Sequence, residues 1–107
     1  MKGFNGGMAQ LMKQANQMQM KMKKAQEELA LRTFDGTSGG GAIKVTVLGD
    51  HMIQSIQIDP EVVKAGDIEM LQDMIKAATN DAVKVAKETT AKEMEKITGG
   101  MGVPGLF

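Results

Sequence analysis

Two stretches of this 107-residue sequence carry an apolar residue at alternating intervals of three and four positions. The first stretch comprises Met8, Leu11, Ala15, Met18, Met22, Ala25 and Leu29, and the second comprises Ile68, Leu71, Ile75, Ala78, Ala82 and Val85, extended by Met94 and Ile97. This spacing gathers apolar side chains on one face of an α-helix and is typical of helices that bury a seam. The sequence therefore predicts two long amphipathic helices.

Local signals mark the ends of both helices. The first is expected to begin between Asn5 and Met8 and to fade by Ala30. The second begins after Asp67, whose carboxylate suits an N-cap, and stops at Gly99, because glycine readily adopts the backbone conformation that ends a helix. We expect a single domain over residues 1–107, with residues 1–7 and 99–107 as flexible tails.

Between the helices, residues 31–58 follow the pattern of β-strands. Residues 32–35 lead into a glycine-rich run at 36–41. Ile43, Val45 and Val47 then alternate with residues of the opposite face, and Met52, Ile56 and Ile58, with Gln54 between them, form the next strand. A tight-turn sequence, Gly-Asp at 49–50, separates the two, and the Asp-Pro pair at 59–60 ends the last strand because proline cannot donate to the ladder. The sequence predicts an α+β fold of order α-β-β-β-α with a three-stranded antiparallel sheet.

The length of the two seams also predicts an oligomer. A helix over residues 67–97 would be roughly 45 Å long, whereas a compact 100-residue domain has a radius of gyration of about 13 Å. The three-stranded sheet of one chain is too small to cover both seams. A homodimer, with twofold symmetry as the commonest arrangement, is therefore predicted.

Composition excludes several classes of site and of location. The sequence has no cysteine, so it forms neither disulfides nor thiolate metal sites. It has neither the roughly 20-residue apolar run of a membrane span nor the apolar stretch of a secretory signal, and a cytoplasmic location is expected.

No pattern in the sequence indicates chemistry. The single histidine, His51, lies in or beside a turn, and neither serine has the context of a catalytic nucleophile. The run Ser38–Gly41 lacks the lysine and hydroxyl of a phosphate-binding loop, so it is interpreted as a flexible connector between strands. The chain is predicted not to be an enzyme and to use no metal, cofactor or small-molecule substrate.

Charge is distributed unevenly along a chain whose formal net charge is zero. Residues 1–32 contain six basic and two acidic residues, a net of +4, whereas residues 33–66 and 67–107 each have a net of −2. The basic residues of the first helix lie on its polar side, where lysines and amides suit contacts to phosphates. Candidate DNA contacts are chiefly Lys13, Lys21 and Lys24, with Lys23 and Arg32 nearby and Gln14 and Gln17 assisting.

Two alternatives stay open for the first helix. A basic, amide-rich helix face is usually an ordinary solvated face. The five methionines within residues 8–22 also suit an apolar docking surface, so a protein-interaction module is the second functional interpretation. With three aromatic residues in the whole chain, a stacking platform for single-stranded nucleic acid is disfavoured.

Several segments, in order and over nearly the full length, resemble the YbaB/EbfC family of bacterial nucleoid-associated proteins. The matching segments are Leu-Met-Lys-Gln-Ala at 11–15, Lys-Ala-Gln-Glu-Glu-Leu at 24–29, Gly-Gly at 40–41 followed by Ile-Lys-Val-Thr-Val at 43–47, Ile-Asp-Pro-Glu at 58–61, Ala-Ala-Thr-Asn-Asp-Ala at 77–82 and the terminal Gly-Gly-Met-Gly-Val-Pro-Gly-Leu-Phe at 99–107.

The resemblance implies a homodimer with a central body of sheets and long helices that project like tweezers. It also implies binding to double-stranded DNA, a change in DNA conformation, and roles in nucleoid organisation and gene regulation, without catalysis. The family ties no DNA contact to a fixed residue, so the contacts named above rest on the first helix of this sequence. The acidic balance of the second helix favours the first as the contact.

Overall fold

The computed structural model describes the backbone of residues 2–99 and the side chains of residues 7–99. Its elements are α1 (Lys2–Leu31), β1 (Thr33–Ser38), β2 (Ile43–Leu48), β3 (Ile53–Ile58), α2 (Pro60–Lys64) and α3 (Ile68–Thr98), with a 3-10 turn over Gly39–Gly41. The strands pair antiparallel in the order β1-β2-β3. The predicted α+β fold and its three-stranded sheet are confirmed.

The ends of the long helices agree with the sequence at three of four points. The Asp67 carboxylate accepts a hydrogen bond from the Met70 N–H at 2.9 Å, and Gly99 ends α3 with a left-handed backbone at φ 65°. The predicted start of α1 was too late, since the helix begins at Lys2 and so includes most of the segment assigned to a tail. The flexibility of both tails stays a prediction, and residues 100–107 lie outside the described residues.

The short helix α2 was not predicted. The Asp59 side chain accepts a hydrogen bond from the Glu61 N–H at 3.0 Å, and Pro60 occupies the first turn, where its missing N–H removes no helical hydrogen bond. The Asp-Pro pair that ends β3 therefore also begins a helix.

The core lies between α3 and the inner face of β1 and β2. Ile43, Val45 and Val47 are fully buried on this face. On β1, a Cβ added to Gly36 would collide with the backbone of Ala78 and Ala82. Glycine and alanine therefore bring strand and helix backbones into direct contact, and this close approach positions α3 on the sheet.

The predicted apolar seam of α3 is only partly correct. Ile68 is 70% exposed and Val85 is 36% exposed, although both were expected to be buried. The buried row instead follows a four-residue spacing and comprises Ala78, Ala82, Ala86, Met94 and Thr98, with Thr90 half-buried at the position between Ala86 and Met94. A helix packs on a neighbouring layer along a ridge of residues spaced four apart. Ile68 and Val85 belong to the three-four pattern but lie off this ridge, so they are exposed.

The apolar seam of α1 is covered only near its C-terminal end. Leu29 is buried and Met22 and Ala25 pack against the core, whereas Met8 and Leu11 are 53% and 65% exposed. The helix runs antiparallel to α3, since Leu29 lies near Glu93 and Gln17 lies near Ile97, and its N-terminal turns extend past the end of α3. The resulting molecule measures 78 × 21 × 17 Å, with a radius of gyration of 20.8 Å, well above the value of about 13 Å for a compact domain of this size.

Candidate nucleic-acid interface

The predicted DNA-contacting residues lie on the solvent side of α1. Lys13, Gln17, Lys21 and Lys24 follow one another at intervals of four, four and three residues, which in a helix of 3.6 residues per turn places them on adjoining positions of one face. Together with Gln14 they form what we call the basic face. All five side chains are exposed. The structure therefore brings the main candidates together on a single surface.

The remaining two candidates lie at the margins of this surface. Lys23 lines a depression with Ala15, Met18 and Met22, on the opposite flank of the apolar seam from Lys21. Arg32 follows the end of α1, and its guanidinium lies 5.5 Å from the centre of the Phe34 ring, a cation–π contact. Lysines therefore occur on both flanks of α1, while Arg32 belongs to its junction with the sheet.

The charges of the basic face are not neutralised within the described part of the chain. Ion pairs there join Lys44 to Asp35, Lys64 to Glu61 and Lys96 to Glu93, at 3.5, 3.4 and 3.2 Å, and none involves a lysine of α1. The first acidic residue of the sequence is Glu27, beyond the last lysine of the basic face. A polyanion would therefore meet exposed ammonium groups along this helix.

The length of the basic face suits a duplex. Lys13 and Lys24 are eleven residues apart, which at the helical rise corresponds to about 16 Å, or the axial length of about five base pairs. The end of α3 borders this face, since Ile97 lines a depression with Gln14, Gln17 and Lys21. That α3 lies beside these residues was not predicted from the sequence.

The opposite end of the molecule is acidic. An open depression of about 530 Å³ between the 3-10 turn and the first turns of α3 is lined by three carboxylates, those of Asp67, Glu69 and Asp73. The glycine run at its edge connects β1 to β2 as predicted, and Ser38 Oγ donates a hydrogen bond to the Met74 carbonyl at 2.6 Å. Negative charge makes this end unsuitable for phosphate.

The outer face of the sheet also carries a carboxylate. The Asp35 side chain accepts a hydrogen bond from Thr46 Oγ1 at 2.7 Å and lies 3.5 Å from Lys44 Nζ. The hydrogen bond, and then the neighbouring ammonium group, lower the pKa of Asp35 below its ordinary value of 3.8. Asp35 is therefore an anion near neutral pH and pairs with the lysine that would otherwise attract phosphate.

The structure also gives the position of His51 and describes metal-ligating groups and helix lengths. His51 is exposed in the connection between β2 and β3, with a backbone φ of 72°, which agrees with the predicted turn. Among the described side chains, no three histidine or acidic groups gather as a metal site would require. In the same part of the chain, every helix is too short or too polar to cross a membrane.

This chain is similar to a known protein family, to named relatives and to a solved structure. The model of the YbaB/EbfC DNA-binding family matches residues 4–101. A nucleoid-associated protein of Caldanaerobacter subterraneus subsp. tengcongensis is 50% identical over 107 residues, covering 98% of this chain and 96% of the relative. One from Clostridium novyi is 51% identical, covering 98% and 94%. The fold resembles the crystal structure of an uncharacterized protein from Helicobacter pylori, with a TM-score of 0.70, 24% identity, and coverage of 85% and 96%.

Proposed function

This chain belongs to the YbaB/EbfC DNA-binding family, and we propose that it binds double-stranded DNA as a homodimer through the basic face of α1. Binding alters the conformation of the duplex and contributes to nucleoid organisation and gene regulation. The observation that carries this proposal is the row of exposed lysines without ion-pair partners in the described chain. Lysines and amides hold phosphates without reading bases, so binding depends weakly on sequence.

The uncovered apolar surface supports the homodimer. Ile53 and Ile56 share the inner face with buried Val47 and Val45, to which they pair, but remain 50% and 44% exposed because α3 packs mainly on β1 and β2. The N-terminal half of the α1 seam is equally exposed. A second copy is the partner that twofold symmetry supplies for such surfaces, and it doubles the number of basic faces presented to DNA.

The proposal includes no catalytic step and no cofactor. The relatives named above are described as nucleoid-associated proteins, and the positive charge of α1 performs the binding. The protein works in the cytoplasm, where the nucleoid lies.

A second candidate function rests on the methionines of α1. Met8, Met12 and Met20 are 53%, 64% and 71% exposed, and methionine adapts to many apolar partners. In this alternative, α1 docks another protein and DNA binding is incidental. A protein-docking role predicts binding that is insensitive to the lysines, because burial of apolar surface does not depend on their charge.

Two measurements on the purified chain test the main proposal. Sedimentation equilibrium at micromolar concentration should give about twice the chain mass of 11.5 kDa, and a folded monomer would refute the homodimer. Titration of a labelled duplex at several salt concentrations should give an affinity that falls steeply with salt, with each phosphate contact contributing about 0.9 to the slope of log K against log salt. Absence of a salt-dependent complex would favour the protein-docking alternative.

A further inference from the structure

Met20 is an apolar side chain on the solvent side of α1, where the neighbouring side chains are polar. Met20 lies off the predicted seam and is 71% exposed, the largest value among the described methionines. Neither depression on the flanks of the seam includes it. Packing within the chain therefore does not account for a methionine at this position.

The neighbours of Met20 are all polar groups that can donate hydrogen bonds. In a helix the residues three and four positions away are adjacent on the surface, and for Met20 these are Asn16, Gln17, Lys23 and Lys24. All four are exposed, and none is acidic. An apolar tip thus lies at the centre of two amides and two ammonium groups, on the surface that the proposed function assigns to DNA.

We propose that Met20 is the residue through which α1 deforms the duplex, by inserting its side chain between base pairs from the minor groove. This inference rests on the proposed function and adds the residue that changes DNA conformation. Proteins that bend DNA from the minor groove insert apolar side chains, methionine among them, between base steps. Lysines hold the phosphates on either side, and amides suit the acceptors of the minor groove.

The dimensions of the helix and the groove favour a wedge over a buried helix. The minor groove is about 6 Å wide, and a helix with its side chains is about 10–12 Å across, so α1 lies over the groove rather than in it. A side chain pointing straight at the groove is then the part that reaches the bases. Methionine is unbranched and has three rotatable bonds, so its tip can enter a narrow opening between stacked bases.

The same helix offers a matched control. Met12 is 64% exposed, but its neighbours at three and four positions are Met8, Ala9, Ala15 and Asn16, three of which are apolar. It lies beside the seam and not among the lysines. Replacing either methionine with glutamine keeps the length of the side chain and removes its apolar character, and both sites are exposed, so both variants should fold.

The experiment compares wild type with Met20→Gln, Met12→Gln and Met20→Leu. Each binds an A·T-rich duplex that carries dyes at its two ends and 2-aminopurine at an internal step, a base that brightens when it unstacks. Wild type, Met12→Gln and Met20→Leu should bend the duplex by at least about 20° and raise the 2-aminopurine signal. Met20→Gln should lose both effects while its slope of log K against log salt stays unchanged, because the phosphate contacts remain.

Each other outcome has a definite meaning. If Met20→Gln bends and unstacks the duplex as wild type does, the wedge is refuted and DNA binding stands. If wild type binds with a steep salt dependence but neither bends nor unstacks the duplex, the wedge is refuted together with the proposed change in conformation. If wild type forms no salt-dependent complex, the DNA-binding function itself fails.

Discussion

Removing two lysines from the basic face should reduce the salt dependence of DNA binding by a predictable amount. Lys21 and Lys24 are exposed and form no ion pair with the described carboxylates, so each is available to one phosphate. If both contact phosphate in one protomer of a dimer, the double variant Lys21→Ala/Lys24→Ala makes the slope of log K against log salt shallower by about 1.8, and by about 3.6 if both protomers contribute. If wild type and variant bind equally at 1 M salt, the smaller change in slope makes the variant's affinity roughly 60-fold weaker at 0.1 M salt.

The assay is a fluorescence-anisotropy titration of a labelled duplex at four or more salt concentrations, repeated on duplexes of unrelated sequence. The loss should be similar for all sequences, since phosphate contacts carry no base information. The matched control is Lys84→Ala/Lys87→Ala, which removes two exposed lysines at the same spacing from α3. A non-specific loss of charge would weaken binding equally in both double variants.

Wild-type slope and affinity in a folded Lys21→Ala/Lys24→Ala variant would refute the assignment of α1 as the contact. A helical circular dichroism spectrum and an unchanged unfolding midpoint establish that the variant is folded. The same loss in the α3 control would show that overall charge, and not the basic face, determines binding. In the first case, α3 or the sheet becomes the next candidate for the DNA contact.

Four further substitutions test the packing and the surface. Gly36→Ala should destabilise the fold by at least about 1–3 kcal/mol in urea unfolding, because the new methyl group meets helix backbone that cannot move aside; wild-type stability would contradict the close contact. Ala78→Asp should unfold or dissociate the protein in sedimentation, because it places an unpaired charge in the core. Asp35→Asn should cost a few tenths of a kcal/mol at pH 7. Because the pKa of Asp35 is lowered by folding, its contribution is present above pH 3.8 and is lost as the pH falls through the folded-state value, so wild type and variant should converge in acid unfolding. His51→Ala should keep duplex affinity within about twofold, since the exposed histidine lies in a turn and is not part of the basic face.

The local signals of the sequence determined most of the element boundaries. Asp67 and Gly99 mark the ends of α3 because an N-cap carboxylate and a left-handed glycine act within one turn of the helix. The alternation at Ile43, Val45 and Val47 identified the inner face of the sheet, because successive side chains of a strand point to opposite faces regardless of tertiary packing. The start of α1 at Lys2 was missed because residues 2–7 contain three glycines, and glycine is a poor helix former.

Tertiary packing determines which positions of α3 are buried, and the sequence pattern alone did not predict all of them. The three-four spacing assigned Val85 to the buried face of α3, but the contact with β1 is made by alanines, and Ala86 occupies the next position of that ridge. The close approach to Gly36 requires small residues on α3, and the predicted seam included Ala78 and Ala82 but not Ala86. For the candidate site, helical spacing alone groups Lys13, Lys21 and Lys24 on one face of α1, whereas the presence of Ile97 beside that face required knowing where α3 lies.

The seam of α1 has the same spacing along its whole length, yet its two halves have different surroundings. Leu29 is buried by the body of its own chain, whereas Leu11, eighteen residues earlier, is 65% exposed. The spacing of apolar residues predicts that a helix face is buried, but it does not predict whether the same chain or a second molecule covers that face. The lysines of the basic face lie beside the seam and not within it, with Lys13 in the exposed half and Lys21 and Lys24 in the covered half. In the proposed homodimer, a second copy that covers the apolar face leaves these lysines exposed, so the proposed dimer contact and the proposed DNA contact use different surfaces of α1.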